Sequence, residues 1–145
     1  MPLYKPETVR KLIKEYEAKK PVMAMLTVKF ERPDDWAYGR IIRNHTGEIT
    51  SIVEQKDCTS EQKRLKECNP GFYIFRASWL RENIMKLQAN NVQKEYYLTD
   101  LVEMAISQNQ KVVTLPVADE SEALGINTPE QLKMAEKEIE KRKRG

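Results

Sequence analysis

The run NNVQKEYYLTD, Asn90 to Asp100, concentrates the residue types that do recognition chemistry: two tyrosines, two asparagines and two acids in eleven residues. Read locally, Tyr96 and Tyr97 anchor the core, and Thr99 or Asp100 caps the helix that follows, since short polar side chains accept from the free N–H groups of a helix start. Other chemistries find less support. Cys58 and Cys68 stand ten positions apart, without the CxxC spacing of zinc or redox sites, and read as two free thiols. His45 is the single histidine, in the turn NHTG, so a zinc-type catalytic centre is not supported. None of the five glycines forms GxG or GxxxxGK, so the phosphate-binding glycine loop of nucleotide-binding α/β domains is missing from this stretch.

The elements that must position such groups follow from periodicity. Val9, Leu12, Ile13 and Tyr16 place ETVRKLIKEYEAK on an amphipathic helix. PVMAMLTVKF is a nearly continuous apolar run, the mark of a strand buried on both faces. GRIIRNHTGEITSIVE reads as a hairpin turning at Asn44 and Gly47, and KDCTSEQKRLKE as a polar surface excursion holding a short helix. GFYIFRA is a strand, and SWLRENIMKLQ a helix with Trp79, Leu80, Ile84 and Leu87 inward. LTDLVEMAISQNQ is a helix and KVVTLPV a buried strand. In the last helix, NTPEQLKMAEKEIEKRK, Thr128 caps, Pro129 takes the first position and Gln131 completes a capping box. The expected class is α/β with a mixed sheet and an inserted hairpin.

A chain of 145 residues, 40% apolar and 32% charged, has the size and composition of one globular domain. Residues 1–145 are expected to form it, with a basic helical tail at 136–145. The net charge of +3 sits largely in KEIEKRKRG, a solvated helix end whose cations suit the helix dipole, so no nucleic-acid partner is expected. No run has the length of a membrane span and MPLYKPE has no signal-peptide core, so the expectation is a cytoplasmic protein without a membrane partner.

In order, YGRIIR, IVEQKD, NPGFYIF, NNVQKEYYLTD and LGINTPEQL resemble the second half of the nucleotidyltransferase domain of bacterial N-acetylglucosamine-1-phosphate uridylyltransferases, the UDP-N-acetylglucosamine pyrophosphorylases. The likeness runs from the N-terminus to about Met134, and NNVQKEYYLTD is its most particular part. It implies part of a nucleotide-diphospho-sugar transferase fold, Rossmann-like and lacking the N-terminal nucleotide-binding half. It implies chemistry that joins UTP to N-acetylglucosamine 1-phosphate. By the same resemblance, Gly39 is the glycine whose backbone approaches the sugar, where a side chain would occupy ligand space. Glu54 accepts from sugar hydroxyls, a charged acceptor making the stronger bonds, and Asn69 also contacts the sugar. Tyr97 and Thr99 shape the pocket rim, and Asn127 helps hold Mg²⁺, as one neutral oxygen ligand. Pro70 stands where the family usually has threonine, which alters the backbone next to Asn69.

The family's metal aspartate precedes the segment matching MPLYKPETV, as do its LxxGxGTRM loop, the following lysine and the uracil-binding strands. Phosphoryl-type transfer depends on positioning and charge stabilisation by such groups. These 145 residues alone are therefore expected not to catalyse uridylyl transfer, and no acetyltransferase activity is implied. The expected partners are UDP-N-acetylglucosamine or N-acetylglucosamine 1-phosphate and either a second copy or a complementing N-terminal half. The alternatives are a non-catalytic sugar-nucleotide-binding module or a truncated interaction protein. PVMAMLTVKF, deprived of neighbours, is expected to present an apolar edge for pairing.

Overall fold

The computed structural model describes residues 2–144. Helix α1 (Pro6–Lys19) starts with proline at its first position, where a missing N–H costs nothing, and ends on Lys20 in the left-handed region. Strand β1 (Met23–Lys29) follows. Its Met23, Ala24, Met25, Leu26 and Val28 are all sealed from solvent. Each of the methionine, leucine and valine side chains contributes about 1.5–3 kcal/mol relative to exposure. The hairpin is β2 (Gly39–Arg43) and β3 (Ile49–Val53), with Gly47 at φ 84° in its turn. The polar excursion holds the short helix α2 (Ser60–Lys63), stabilised by a capping box between Thr59 and Gln62.

Next come β4 (Glu67–Asn69) and β5 (Tyr73–Phe75), which lie end to end along one side of β1. Val28 pairs with Cys68 and Met25 with Tyr73, so four residues on this side oppose two in β1. The surplus forms a bulge at 69–72, in which Gly71 takes φ 76° and its N–H bonds Asn69 Oδ1 at 3.0 Å. Such bulges re-aim side chains. This one leaves Asn69 opposite Gly39 of β2.

Helix α3 (Ala77–Asn83), α4 (Asp100–Ser107), β6 (Val112–Pro116) and α5 (Pro129–Arg144) complete the order. The sheet is mixed. β6 runs parallel to β1, while β3–β2, β2–β4, β4–β1 and β1–β5 are antiparallel. Met23 and Met25 face Trp79, Leu101, Val102 and Ala105 on the α3/α4 side. Ala24 and Leu26 face Leu12 of α1 with Tyr4 and Tyr16 on the other. Buried Arg40 ties the loops to this frame. Its guanidinium donates to the carbonyls of Lys63 (3.3 Å), Pro33 (3.0 Å) and Tyr38, and to Asp34. The capping box at Thr128 and Gln131 forms as expected.

Several expectations are corrected. PVMAMLTVKF is an inner strand, flanked by β4/β5 and β6, so it presents no edge. Among the described residues β3, β5 and β6 each have a single strand neighbour, and β5, which pairs only with β1, is one of these open edges. Phe72 and Arg76 bond back to β1 (Leu26 N to Phe72 O, 3.1 Å; Arg76 N to Val22 O, 2.8 Å). By alternation the N–H and C=O groups of Tyr73 and Phe75 point away from β1. Helix α3 ends before Ile84, which is 39% exposed rather than inward. β6 is half-buried, with one strand neighbour among the described residues. Tyr96 is 74% exposed and anchors no core. Among the described residues, no helix is long and apolar enough to cross a membrane.

Candidate functional site

The site grows from the close approach of β2 and β3. A Cβ built on Gly39 would stand 2.9 Å from Ile52 Cγ2, 3.3 Å from the Val53 carbonyl oxygen and 3.4 Å from Glu54 Cδ. Gly39 is thus required by the neighbouring strand, at Ile52 and the Val53 carbonyl. This amends the expectation that a side chain there would collide with ligand: it would collide with the protein first. On the other flank of β2, the bulge places Asn69 as the strand partner of Gly39.

Glu54 leaves β3 pointing at the start of α4, where Thr99 Oγ1 donates to Glu54 Oε1 at 3.0 Å. Thr99 is buried and makes no capping bond to its own helix. Its hydroxyl is spent across the site, so the capping role read from the local sequence does not hold. Burial raises the pKa of Glu54, the Asp100 and Asp57 charges add to this, and the Thr99 bond opposes it. Asp100 is likewise raised, by burial and then by Glu103 and Asp57.

Tyr97 stands at the rim, its hydroxyl accepting from Gln93 Nε2 at 2.7 Å. Burial raises its phenol pKa, and Asp57 and Glu54 push the same way. Glu54 also acts on Tyr73 of β5. Its phenol is pushed well above the ordinary range by burial, partly offset by the Asn69 amide, and raised further by Glu54. Gly39, Glu54, Asn69, Thr99 and Tyr97 therefore converge. Tyr73 and Asp57 join them, and nothing in the sequence reading singled those two out. The only available signals were an aromatic placed just past the NPG turn and an acid closing IVEQKD.

Asn127 stands apart. It is exposed, and its backbone N–H donates to Gln131 Oε1 at 2.7 Å within the α5 start. It approaches β2 only through the chain: a Cβ on Gly125 would meet the Tyr38 ring, and Tyr38 donates its hydroxyl to Ala123 O at 2.9 Å. Burial pushes the Tyr38 phenol up to about 12. Among the described residues no group of three or more His, Cys, Asp or Glu side chains could hold a metal ion. One exposed neutral oxygen at Asn127 does not fit Mg²⁺ by itself, since that ion needs octahedral, mostly anionic or water oxygen ligation. Together the converging groups set a half-buried carboxylate, Glu54, among polar and aromatic side chains.

No protein-family model matches the chain. It is 39% identical over 142 residues to the bifunctional protein GlmU of Caldicellulosiruptor saccharolyticus, covering 98% of this chain and 30% of that protein. To the GlmU of Streptococcus mutans serotype c it is 38% identical over 141 residues, covering 97% and 30%. The chain thus spans about 30% of the length of these curated relatives. Among solved structures it resembles a CMP:2-keto-3-deoxy-manno-octonic acid synthetase complexed with CTP (TM-score 0.63, 14% identity, 97% of this chain and 58% of that one). It also resembles a nucleoside-diphosphate-sugar pyrophosphorylase from Vibrio cholerae RC9 (TM-score 0.56, 13% identity, 81% and 47%). Those two likenesses concern the fold. The sequence relatives go further: over nearly its whole length the chain matches one part of the GlmU proteins.

Proposed function

We propose that the chain is the sugar-binding portion of a UDP-N-acetylglucosamine-forming uridylyltransferase, within a partial, Rossmann-like nucleotide-diphospho-sugar transferase fold. The observation that carries this is the Thr99–Glu54 bond across the site, beside Gly39 and Asn69. It holds one oxygen of Glu54 and leaves the other to accept from sugar hydroxyls. Asn69 has its oxygen engaged by Gly71 N–H and its NH₂ serves the Tyr73 hydroxyl, which leaves one N–H to donate to an acetamido carbonyl. Each hydrogen bond to a charged acceptor is worth about 1.5–3 kcal/mol net. A ligand lacking the matching hydroxyl would leave Glu54 unpaired and be rejected.

The 145 residues contain no glycine-rich phosphate loop, and no step through Mg²⁺ is derived from Asn127 alone. We infer that triphosphate binding and charge stabilisation come from a complementing nucleotide-binding half seated on the β5 edge. Its support is the unpaired edge at Tyr73 and Phe75 together with the total exposed area of 9243 Å². A self-contained monomer of 17.0 kDa exposes about 7,700 Å². The surplus of about 1,500 Å² is the size of one partner's share in a permanent interface.

Calorimetric titration with UDP-N-acetylglucosamine tests the sugar site, with Glu54→Ala and Asn69→Ala expected to abolish saturable binding. Mixing the chain with a GxGTRM-containing first half from a relative, and assaying pyrophosphate release from UTP and N-acetylglucosamine 1-phosphate, tests the complementation. Activity in the mixture and none in either part is expected. A mixture that binds sugar nucleotide yet stays inactive would favour the non-catalytic binding module.

A further inference from the structure

Asp57 closes the motif IVEQKD, in a single 3-10 turn (Gln55–Asp57) after Glu54. Its Oδ1 accepts the backbone N–H of Val92 at 2.9 Å. Its Oδ2 is sealed from solvent and has no partner at hydrogen-bonding geometry. A buried carboxylate oxygen without a donor is costly, so a nearby proton is needed. The Tyr97 hydroxyl stands next to this carboxylate, and its oxygen already accepts from Gln93, which leaves its own proton to give.

The segment that Asp57 grips has little else to hold it. Val92 is 70% exposed, Tyr96 74% and Leu98 39%, so apolar packing is slight. Its internal ties are polar: the Asn91 amide to the backbone of Glu95 (2.6 and 3.1 Å), Lys94 N–H to Asn91 O (3.1 Å) around Lys94 at φ 54°, and Gln93 to the Tyr97 hydroxyl (2.7 Å). Two polar ties bind it to the loop after β3: Asp57 to Val92, and Thr99 to Glu54. Segments with few buried apolar contacts open readily unless such ties are made.

We propose that Asp57 is a positioning residue: its carboxylate clasps segment 90–98 through the Val92 N–H and the Tyr97 hydroxyl, and so sets where Tyr97 and Thr99 stand beside Glu54. As a role in sugar recognition this rests on the function proposed above. The clasp itself rests on the contacts alone.

The test uses the 145-residue chain with Asp57→Ala and Asp57→Asn, because asparagine keeps an acceptor for Val92 while removing the charge beside Tyr97. Amide exchange at Val92 is expected to quicken about tenfold in Asp57→Ala, with Met25 in β1 unchanged, and to stay slow in Asp57→Asn. In Asp57→Asn the titration midpoint of the Tyr97 ring-carbon NMR resonances is expected to fall, a signature that general loosening would not give. Affinity for UDP-N-acetylglucosamine should drop about tenfold in Asp57→Ala, the equivalent of one lost ordinary hydrogen bond. Unchanged Val92 exchange in a folded Asp57→Ala, or an unmoved Tyr97 midpoint in Asp57→Asn, overturns the clasp. If Val92 and Tyr97 respond as stated but the unmutated chain takes up no sugar nucleotide, the clasp stands and the reading of the pocket falls.

Discussion

Replacing Thr99 by valine removes one hydroxyl and keeps the side-chain shape, so it isolates the bond to Glu54. Thr99 is 4% exposed and its bond is 3.0 Å long, with Glu54 only partly accessible. A hydrogen bond to an ionised acceptor contributes about 1.5–3 kcal/mol, and the partial solvation of Glu54 puts this one at about 1–2 kcal/mol. For a chain of 145 residues that is a fall in Tm of about 3–7 °C. The sign with pH follows from Glu54. Its folded pKa is raised by burial and neighbouring acids, and Thr99 is the group that opposes the rise. Thr99→Val raises it further. The variant's native state then holds its proton to higher pH than the unfolded chain, so stability falls as pH rises through the window above the ordinary glutamate value. The cost should therefore be full at neutral pH and smaller in acid, where Glu54 is protonated in both states. Urea unfolding at both pH values, with Glu54→Gln in a double-mutant cycle, measures it. Equal costs at both pH values, or a coupling under about 0.3 kcal/mol, would refute the reasoning.

Gly39→Ala is expected to cost about 1–3 kcal/mol in urea unfolding and to weaken sugar-nucleotide binding, because the added methyl clashes with Ile52 and crowds the Val53 carbonyl, which shifts β3 just before Glu54. Arg40→Ala should cost about 3 kcal/mol or more in the same assay, since it opens a cavity and strands the carbonyls of Lys63, Pro33 and Tyr38. Burial pushes the Cys68 thiol up to about 11 and raises Cys58 as well, so both should resist a thiol reagent at pH 8 until urea unfolds the chain.

The sequence made some of this architecture legible and hid the rest for identifiable reasons. The nearly continuous apolar run at 22–28 becomes β1 because it is covered on both faces, and Thr128 with Gln131 announced α5 through a local capping geometry. The open edge was misplaced. Periodicity says that a strand is buried but not which neighbours cover it, and the bulge at 69–72 lets β4 and β5 line one side of β1 from a single stretch of chain. Resemblance brought forward Gly39, Glu54, Asn69, Tyr97 and Thr99, whose convergence depends on strand register that periodicity does not encode. Thr99 shows the limit most plainly. Its position before α4 reads as a cap, and only the fold reveals that Glu54, forty-five positions earlier, takes its proton instead. Tyr73, Asp57 and Arg40 stayed hidden because each acts through long-range contacts.

An NMR titration of the isotope-labelled chain with UDP-N-acetylglucosamine tests the central claim most directly. Saturable shifts confined to Gly39, Glu54, Asn69 and the 97–100 stretch, lost in Glu54→Ala, are the result predicted. Saturable shifts centred elsewhere, or no shift at millimolar ligand, would contradict the assignment of this pocket to a sugar nucleotide.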